Sequence, residues 1–166
     1  MSKQKVICHN KDGQEQEIEI EKIIFRPSVY GILIEDGKIL LSKQWDGYDF
    51  PGGGMEIGET IDETLEREFW EETGVKVKRG RSVVCESSFF TPTFIKGEYW
   101  NCQLMYFLCE KIGGELSKAN LDEFEKIYAG LPEWVDLENI DKIKFYNDVD
   151  NLKVISEAIK IKELFK

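Results

Sequence analysis

In this 166-residue chain, the residues best suited to do chemistry are three glutamates near the end of one helical run. On a wheel of about 100° per residue, the segment Thr60–Thr73 places Ile61, Leu65 and Phe69 on an apolar arc about 80° wide. Glu68 and Glu72 fall beside or inside that arc, and Glu71 lies just beyond its edge. Like charges at spacings of three and four repel. The C-terminal end of a helix dipole also disfavours anions, and a carboxylate buried without a partner is costly. A divalent cation would reverse all three penalties. A solvated acidic face is the ordinary reading of a glutamate-rich helix, but the preceding loop argues for more. Pro51-Gly52-Gly53-Gly54 permits positive φ and close backbone approach, so its N–H and C=O groups can face a phosphate or a metal.

Composition narrows the partners. The chain carries 22 Lys+Arg against 32 Asp+Glu, a net charge of −10. That excludes broad binding to duplex nucleic acid or an anionic membrane, both of which need a basic face. A small phosphate-bearing ligand stays open if a metal or a few local cations offset the field. With 42% apolar residues the chain can build one core, and its length fits one domain over 1–166. No run approaches the apolar length of a membrane span, and the opening MSKQKVICHNKDGQ lacks the apolar core of a secretory signal. The expected location is cytoplasmic, with reduced thiols at Cys8, Cys85, Cys102 and Cys109, none in CxxC spacing. The single histidine, His9, lies in a polar N-terminal stretch, which argues against a histidine-based triad and leaves no multi-histidine zinc site.

Positioning the glutamates requires a sheet and helices. Val6–His9 and Glu15–Ile20 flank a turn at Lys11–Gln14 and read as an N-terminal hairpin. Val29–Ile34 and Lys38–Ser42 read as a second hairpin about Asp36-Gly37. Gly74 stops the glutamate-bearing helix. Ser82–Phe90 and Tyr99–Lys111 read as strands, and Asn120–Gly130 as a loop or short helix. Trp134-Val135 reads as a short strand. Asp148–Phe165 reads as an amphipathic helix with Leu152, Ile155, Ile159 and Leu164 inward. Strands interleaved with two good helices make an α/β class with a mixed sheet covered by helices. Cys102 and Cys109, seven apart on one strand, point to opposite faces and suit a core role.

The pattern Gly53-x5-Glu59-x7-Arg67-Glu68-Phe69-x-Glu71-Glu72-x-Gly74-Val75 resembles the Nudix box at every fixed position. The resemblance implies the family's α/β/α sandwich over roughly the whole chain. It also implies a hydrolase that uses Mg²⁺ or Mn²⁺ to cleave a pyrophosphate linkage in a nucleoside diphosphate joined to another group. The residues agree, since hard carboxylate oxygens without His or Cys favour those ions over zinc. Carried over by position, Glu68, Glu71 and Glu72 resemble metal ligands, with the Gly53 carbonyl as a fourth. Arg67 resembles a brace for the loop through Glu59, with Glu63 as its ordinary helical partner. The base has three sources: Glu68, a later-loop carboxylate (Glu123 or Glu125), or metal-bound hydroxide with no dedicated base.

Substrate choice lies outside the box. Lys43 and Arg26 are candidates to reach a phosphate, Gly52 and Gly54 to approach the ligand through backbone, and Phe50 to stack on a base. Trp45, Tyr48 and Phe89-Phe90 could also stack. Pro92 sits about two positions later than the proline that ADP-ribose-cleaving members carry past the box. The PGGG loop departs from their common PAG, which tilts the expectation toward a (d)NTP or other small nucleotide. ADP-ribose or a nucleotide sugar is the alternative. A non-catalytic nucleotide sensor is a further one, against which the intact glutamates speak. The resemblance is also compatible with a homodimer paired through the N-terminal hairpin.

Overall fold

The computed structural model describes residues 4–93, 95–123, 125–147 and 149–165. The N-terminal hairpin joins β1 (Lys5–His9) and β2 (Glu15–Glu19), with Lys5 opposite Glu19 and His9 opposite Glu15. A ten-residue strand follows, β3 (Ile23–Ile32), then the short β4 (Ile34–Glu35) and β5 (Lys38–Gln44). The turn between β4 and β5 falls at Asp36-Gly37 as the sequence predicts, with both residues at positive φ. The hairpin about it is shorter than predicted, because Val29–Ile32 belongs to β3 and pairs elsewhere. Leu33 separates the two strands: Val29 and Leu33 face one core, Ile32 and Ile34 the other.

After β6 (Gly47–Asp49), the glycine-rich segment is itself a strand, β7 (Gly52–Gly54), rather than a loop. Helix α1 (Ile61–Thr73) starts at a full capping box. The Thr60 side chain accepts from the Glu63 N–H, and the Glu63 carboxylate accepts from the Thr60 N–H. It ends at Gly74 in the left-handed conformation, φ 74°. The chain then runs straight into β8 (Val75–Phe90), antiparallel to β9 (Tyr99–Gly114). Both strands exceed their predicted bounds. Lys76, Lys78 and Arg79 alternate with the buried Val75 and Val77, so charge hid the start of β8.

Between residues 120 and 130 lies a one-turn helix, α2 (Glu125–Tyr128), followed by β10 (Glu133–Asp136) and α3 (Asn151–Leu164). The predicted start of that last helix, Asp148, lies outside the described residues. Its buried side is Val154, Ile155 and Ala158, with Ile159 packed beside them. Leu152 and Leu164, expected inward, are exposed.

The strands form a six-stranded mixed sheet in the order β2-β1-β8-β9-β3-β7 and a smaller sheet in the order β10-β5-β4, with β6 added to β5. Helix α1 covers one core through Leu65 and Phe69, against Val29, Leu40, Val75 and Phe107. Helix α3 covers the other, which contains Ile32, Phe50, Leu104 and Tyr106. The result is the expected mixed sheet between helices. Cys102 and Cys109 are buried on opposite faces, and all four cysteines are free. Among the described residues no helix is long and apolar enough to cross a membrane.

Gly31 sets how closely α1 approaches the sheet. A Cβ there would stand 2.6 Å from the Phe69 ring and 2.9 Å from the Cys109 sulfur. Gly31→Ala should therefore cost about 1–3 kcal/mol through overpacking. Adding Phe69→Leu should recover part of that loss. Urea unfolding of the single and double variants measures both, and strictly additive losses would show that Gly31 and Phe69 do not constrain one another.

Candidate metal centre and active site

Helix α1 holds two carboxylates one turn apart, Glu68 and Glu72, and α2 brings a third. Oxygens of Glu68, Glu72 and Glu125 lie within 4.8 Å of one another, with Glu72 the most withdrawn from solvent. Glu72 is fixed from two sides: the Ser42 hydroxyl donates to it at 2.6 Å and the Gly52 N–H at 3.2 Å. Burial pushes all three carboxyls up, Glu68 to about 7 and Glu72 well above the usual carboxylate range. Arg67 partly counters this at Glu68, while the neighbouring carboxylates add to it at each. Three carboxylate oxygens converging at this distance fit a hard divalent cation.

Arg67 holds the approach to this group. Its guanidinium donates to both oxygens of Glu59, at 2.6 and 2.8 Å, and to the Gly54 carbonyl at 3.3 Å. It also reaches Glu68 at 2.9 Å and Glu71 at 3.1 Å. Glu63 is committed to the capping box, so Glu59 is the partner, and β7 is thereby tied to α1. Glu71 is the departure from expectation: it faces Arg67, outside the trio that Glu125 completes. Gly53 lies against Glu68, where a Cβ would stand 2.7 Å from the carboxyl carbon. The box therefore needs glycine there to keep α1 and β7 in contact.

The other candidates separate clearly. Glu123 is exposed and pairs with Lys126 at 2.7 Å, away from the trio. Lys43 lines the same cleft as Ser42, Glu72, Glu125 and Tyr128. Its ammonium is already taken by the Tyr48 hydroxyl at 2.9 Å and Glu133 at 3.7 Å. Phe50 is a core residue and not an open stacking surface: it is buried between Tyr106 and Phe145, with ring centres at 5.4 and 5.5 Å. Arg26 lies on the face of β3 away from α1. It donates to Ser28 at 3.0 Å and rests 4.4 Å from the centre of the Trp100 ring, against Gly54.

On that same face Tyr30 stacks on Tyr106 at 5.2 Å. Asp49, pushed up to about 6 by burial, accepts from the Asn147 amide at 2.6 Å and the Phe50 N–H at 2.7 Å. The Tyr106 hydroxyl is buried with no hydrogen-bond partner among the described residues. Sequence reading missed Ser42, Asp49 and Asn147. The only available signal was Ser42, a hydroxyl at the end of the apolar run Ile39-Leu40-Leu41, since a buried hydroxyl needs a partner.

The NUDIX domain family matches residues 24–156 of the chain. The chain belongs to the Nudix family. It is 31% identical over 158 residues to an ADP-ribose pyrophosphatase of Methanocaldococcus jannaschii, covering 90% of this chain and 83% of that protein. It is 30% identical over 126 residues to an 8-oxo-dGTP diphosphatase of Buchnera aphidicola, covering 72% and 81%. Among solved structures, an ADP-ribose pyrophosphatase of Streptococcus suis superposes with TM-score 0.63 at 16% identity, over 82% of this chain and 91% of that one. The MutT protein of Methanosarcina mazei superposes with TM-score 0.60 at 21% identity, over 86% and 96%. The two structures establish the Nudix fold, and the family makes the chain a Nudix-type pyrophosphohydrolase.

The grip of Arg67 on Glu59 yields a pH prediction. Hydrogen bonds from Arg67 hold the Glu59 carboxyl down to about 2, against an ordinary 4.5. A carboxylate lowered in the folded state contributes stability above its unfolded value and loses it as pH falls toward the folded one. Glu59→Gln should thus melt below the wild type at pH 7, and the gap should narrow between pH 4.5 and pH 2. Melting curves that stay parallel across that window would show that the pair adds no stability.

Proposed function

We propose that the chain hydrolyses the phosphoric anhydride of a small nucleoside diphosphate derivative, with Mg²⁺ as its metal and Mn²⁺ as a substitute. The observation that carries this reading is the trio Glu68, Glu72 and Glu125, presented beside a glycine strand within an intact Nudix box. Glu71, paired with Arg67, and the Gly53 carbonyl are the further ligand candidates that the Nudix box supplies. A bound ion neutralises the diphosphate and acidifies a water for attack on phosphorus. Glu68 is the residue that would take a proton from the attacking water, since its carboxylate lies within the trio beside Gly53. Arg67 orients Glu68 and the β7 backbone and does not itself meet the substrate.

The cations near the trio favour a diphosphate over a triphosphate. Arg67 is committed to Glu59, Glu68 and Glu71, and Lys43 to Tyr48 and Glu133. A triphosphate would bring further negative charge to a cleft whose own cations are already paired. Arg26, which forms no ion pair among the described residues, is the group left to meet a phosphate or a sugar hydroxyl across β7. The face that carries Tyr30, Asp49 and Asn147 supplies polar atoms for a nucleoside. Similarity to the M. jannaschii ADP-ribose pyrophosphatase supports ADP-ribose as the first substrate to test. A second reading, a (d)NTP, is favoured by similarity to the Buchnera 8-oxo-dGTP diphosphatase.

Turnover of ADP-ribose, nucleotide sugars, (d)NTPs, 8-oxo-dGTP and dinucleoside polyphosphates, with and without Mg²⁺, tests the reading. A phosphatase in the assay exposes monophosphate products. The expected result is Mg²⁺-dependent cleavage of ADP-ribose, abolished in Glu72→Gln and reduced about 10²–10⁴-fold in kcat by Glu68→Gln. Preference for the triphosphates would select the second reading. Mg²⁺ at a hundred times its Kd should also stabilise the wild type by about 2.7 kcal/mol, an effect absent from Glu72→Gln. Folded protein with no cleavage of any class would leave a nucleotide-sensing module.

A further inference from the structure

Glu125 is the member of the trio that does not come from α1, and the single turn of α2 gives it little support of its own. The segment is held instead by the turn between β5 and β6. The Trp45 N–H donates to the Tyr128 carbonyl at 3.0 Å and the Gly130 N–H to the Lys43 carbonyl at 3.0 Å, while Gln44 bridges Ala129. The Trp45 indole stacks on Tyr128 with ring centres 4.6 Å apart and planes 17° apart, and Tyr146 meets it edge-on at 4.8 Å. Trp45 adopts φ 43°, a left-handed conformation that a bulky residue keeps only where its surroundings hold it. One further group holds it. The Lys11 ammonium, from the turn between β1 and β2, lies 5.4 Å from the centre of the Trp45 ring and 5.9 Å from that of Tyr146. The N-terminal hairpin precedes residues 24–156, the stretch that matches the family.

We infer that Trp45 is a positioning residue that sets Glu125 at the metal through Tyr128, and that Lys11 ties the N-terminal hairpin to the same clamp. The inference rests on the reading of Glu125 as a metal ligand. Trp45 does not line the cleft, which Ser42, Glu72, Glu125 and Tyr128 do, so its effect on the metal must pass through the stack. Glu125 is also constrained from its own side, since its carboxylate accepts from the Asp122 N–H at 2.9 Å. Once the backbone of residues 128–130 is fixed to β5, that local turn leaves the carboxylate one direction to face. The segment preceding the family-matched residues thereby tunes metal affinity at a distance, without touching the metal or the substrate.

The test is a titration with Mg²⁺ alone, read by calorimetry and by thermal shift, beside the Mg²⁺ dependence of hydrolysis. Trp45→Ala should weaken Mg²⁺ binding about fivefold while leaving kcat at saturating Mg²⁺ within about twofold, the size expected for loss of one aromatic pair. Trp45→Phe should recover most of the loss. Lys11→Ala, a surface change that spares folding, should weaken binding in the same direction by about twofold. In a Glu125→Gln background Trp45→Ala should add nothing further. Additive losses, or a fall in kcat with Mg²⁺ affinity unchanged, would overturn the inference. If Glu125→Gln alone leaves Mg²⁺ affinity intact, the reading of Glu125 as a ligand fails first, and that result is distinct from a failure of the link through Trp45.

Discussion

The structure turns on one electrostatic constraint: three carboxylates must be kept together in a partly buried cleft although each repels the others. Isolated charges in such a place are costly, and proximity raises the cost. The fold accepts this through contacts that act on the carboxylates without neutralising them as a group. Ser42 and Gly52 fix Glu72, Asp122 fixes Glu125, and Arg67 touches Glu68 while spending its strongest bonds on Glu59. On the proposed reading a divalent cation would relieve this repulsion, so the affinity for the ion would be built from it.

That constraint explains otherwise unrelated features of the fold. The glycines of β7 let the strand lie against Glu68 on one side and Arg26 on the other. Gly31 lets α1 sink onto β3 far enough for its last turn to meet β7. The capping box and the left-handed Gly74 fix where α1 begins and ends, and hence the rotation at which Glu68 and Glu72 face the cleft. One long arginine then joins helix, loop and strand. Arginine suits this role because its planar fork can serve the two oxygens of Glu59 and still reach a carbonyl and two further carboxylates.

The parts legible in the sequence were those governed by local rules. Spacing placed Glu68 and Glu72 beside the apolar stripe of α1, and Thr60 and Gly74 marked its ends. Composition and periodicity placed the N-terminal hairpin and the two helices of the sandwich. What escaped depends on contacts distant in sequence. Nothing in Ser42 points to Glu72, thirty residues away. The direction of Glu71 depends on competition for Arg67, which spacing along one helix cannot decide. Glu123 and Glu125 are equivalent as residue types, and only the clamp between β5 and the α2 segment brings one inward and leaves the other with Lys126. Phe50 looked available for stacking because aromatic type says nothing about which face of the sheet is covered.

So acidic a protein must still admit an anion to its cleft. A net charge of −10 repels a nucleotide at long range, and the few cations at the cleft are paired internally. The field therefore changes sign only locally and only when the trio is loaded, because a doubly charged ion at short range outweighs more distant carboxylates screened by solvent and salt. On the proposed reading substrate and metal would be coupled, each strengthening the other's binding by the same factor. An arginine-lined cleft would bind nucleotides of many kinds without metal. A carboxylate-lined one, loaded as proposed, would make recognition of the phosphate conditional on the ion and so keep the bound anhydride in the place where it can be cleaved.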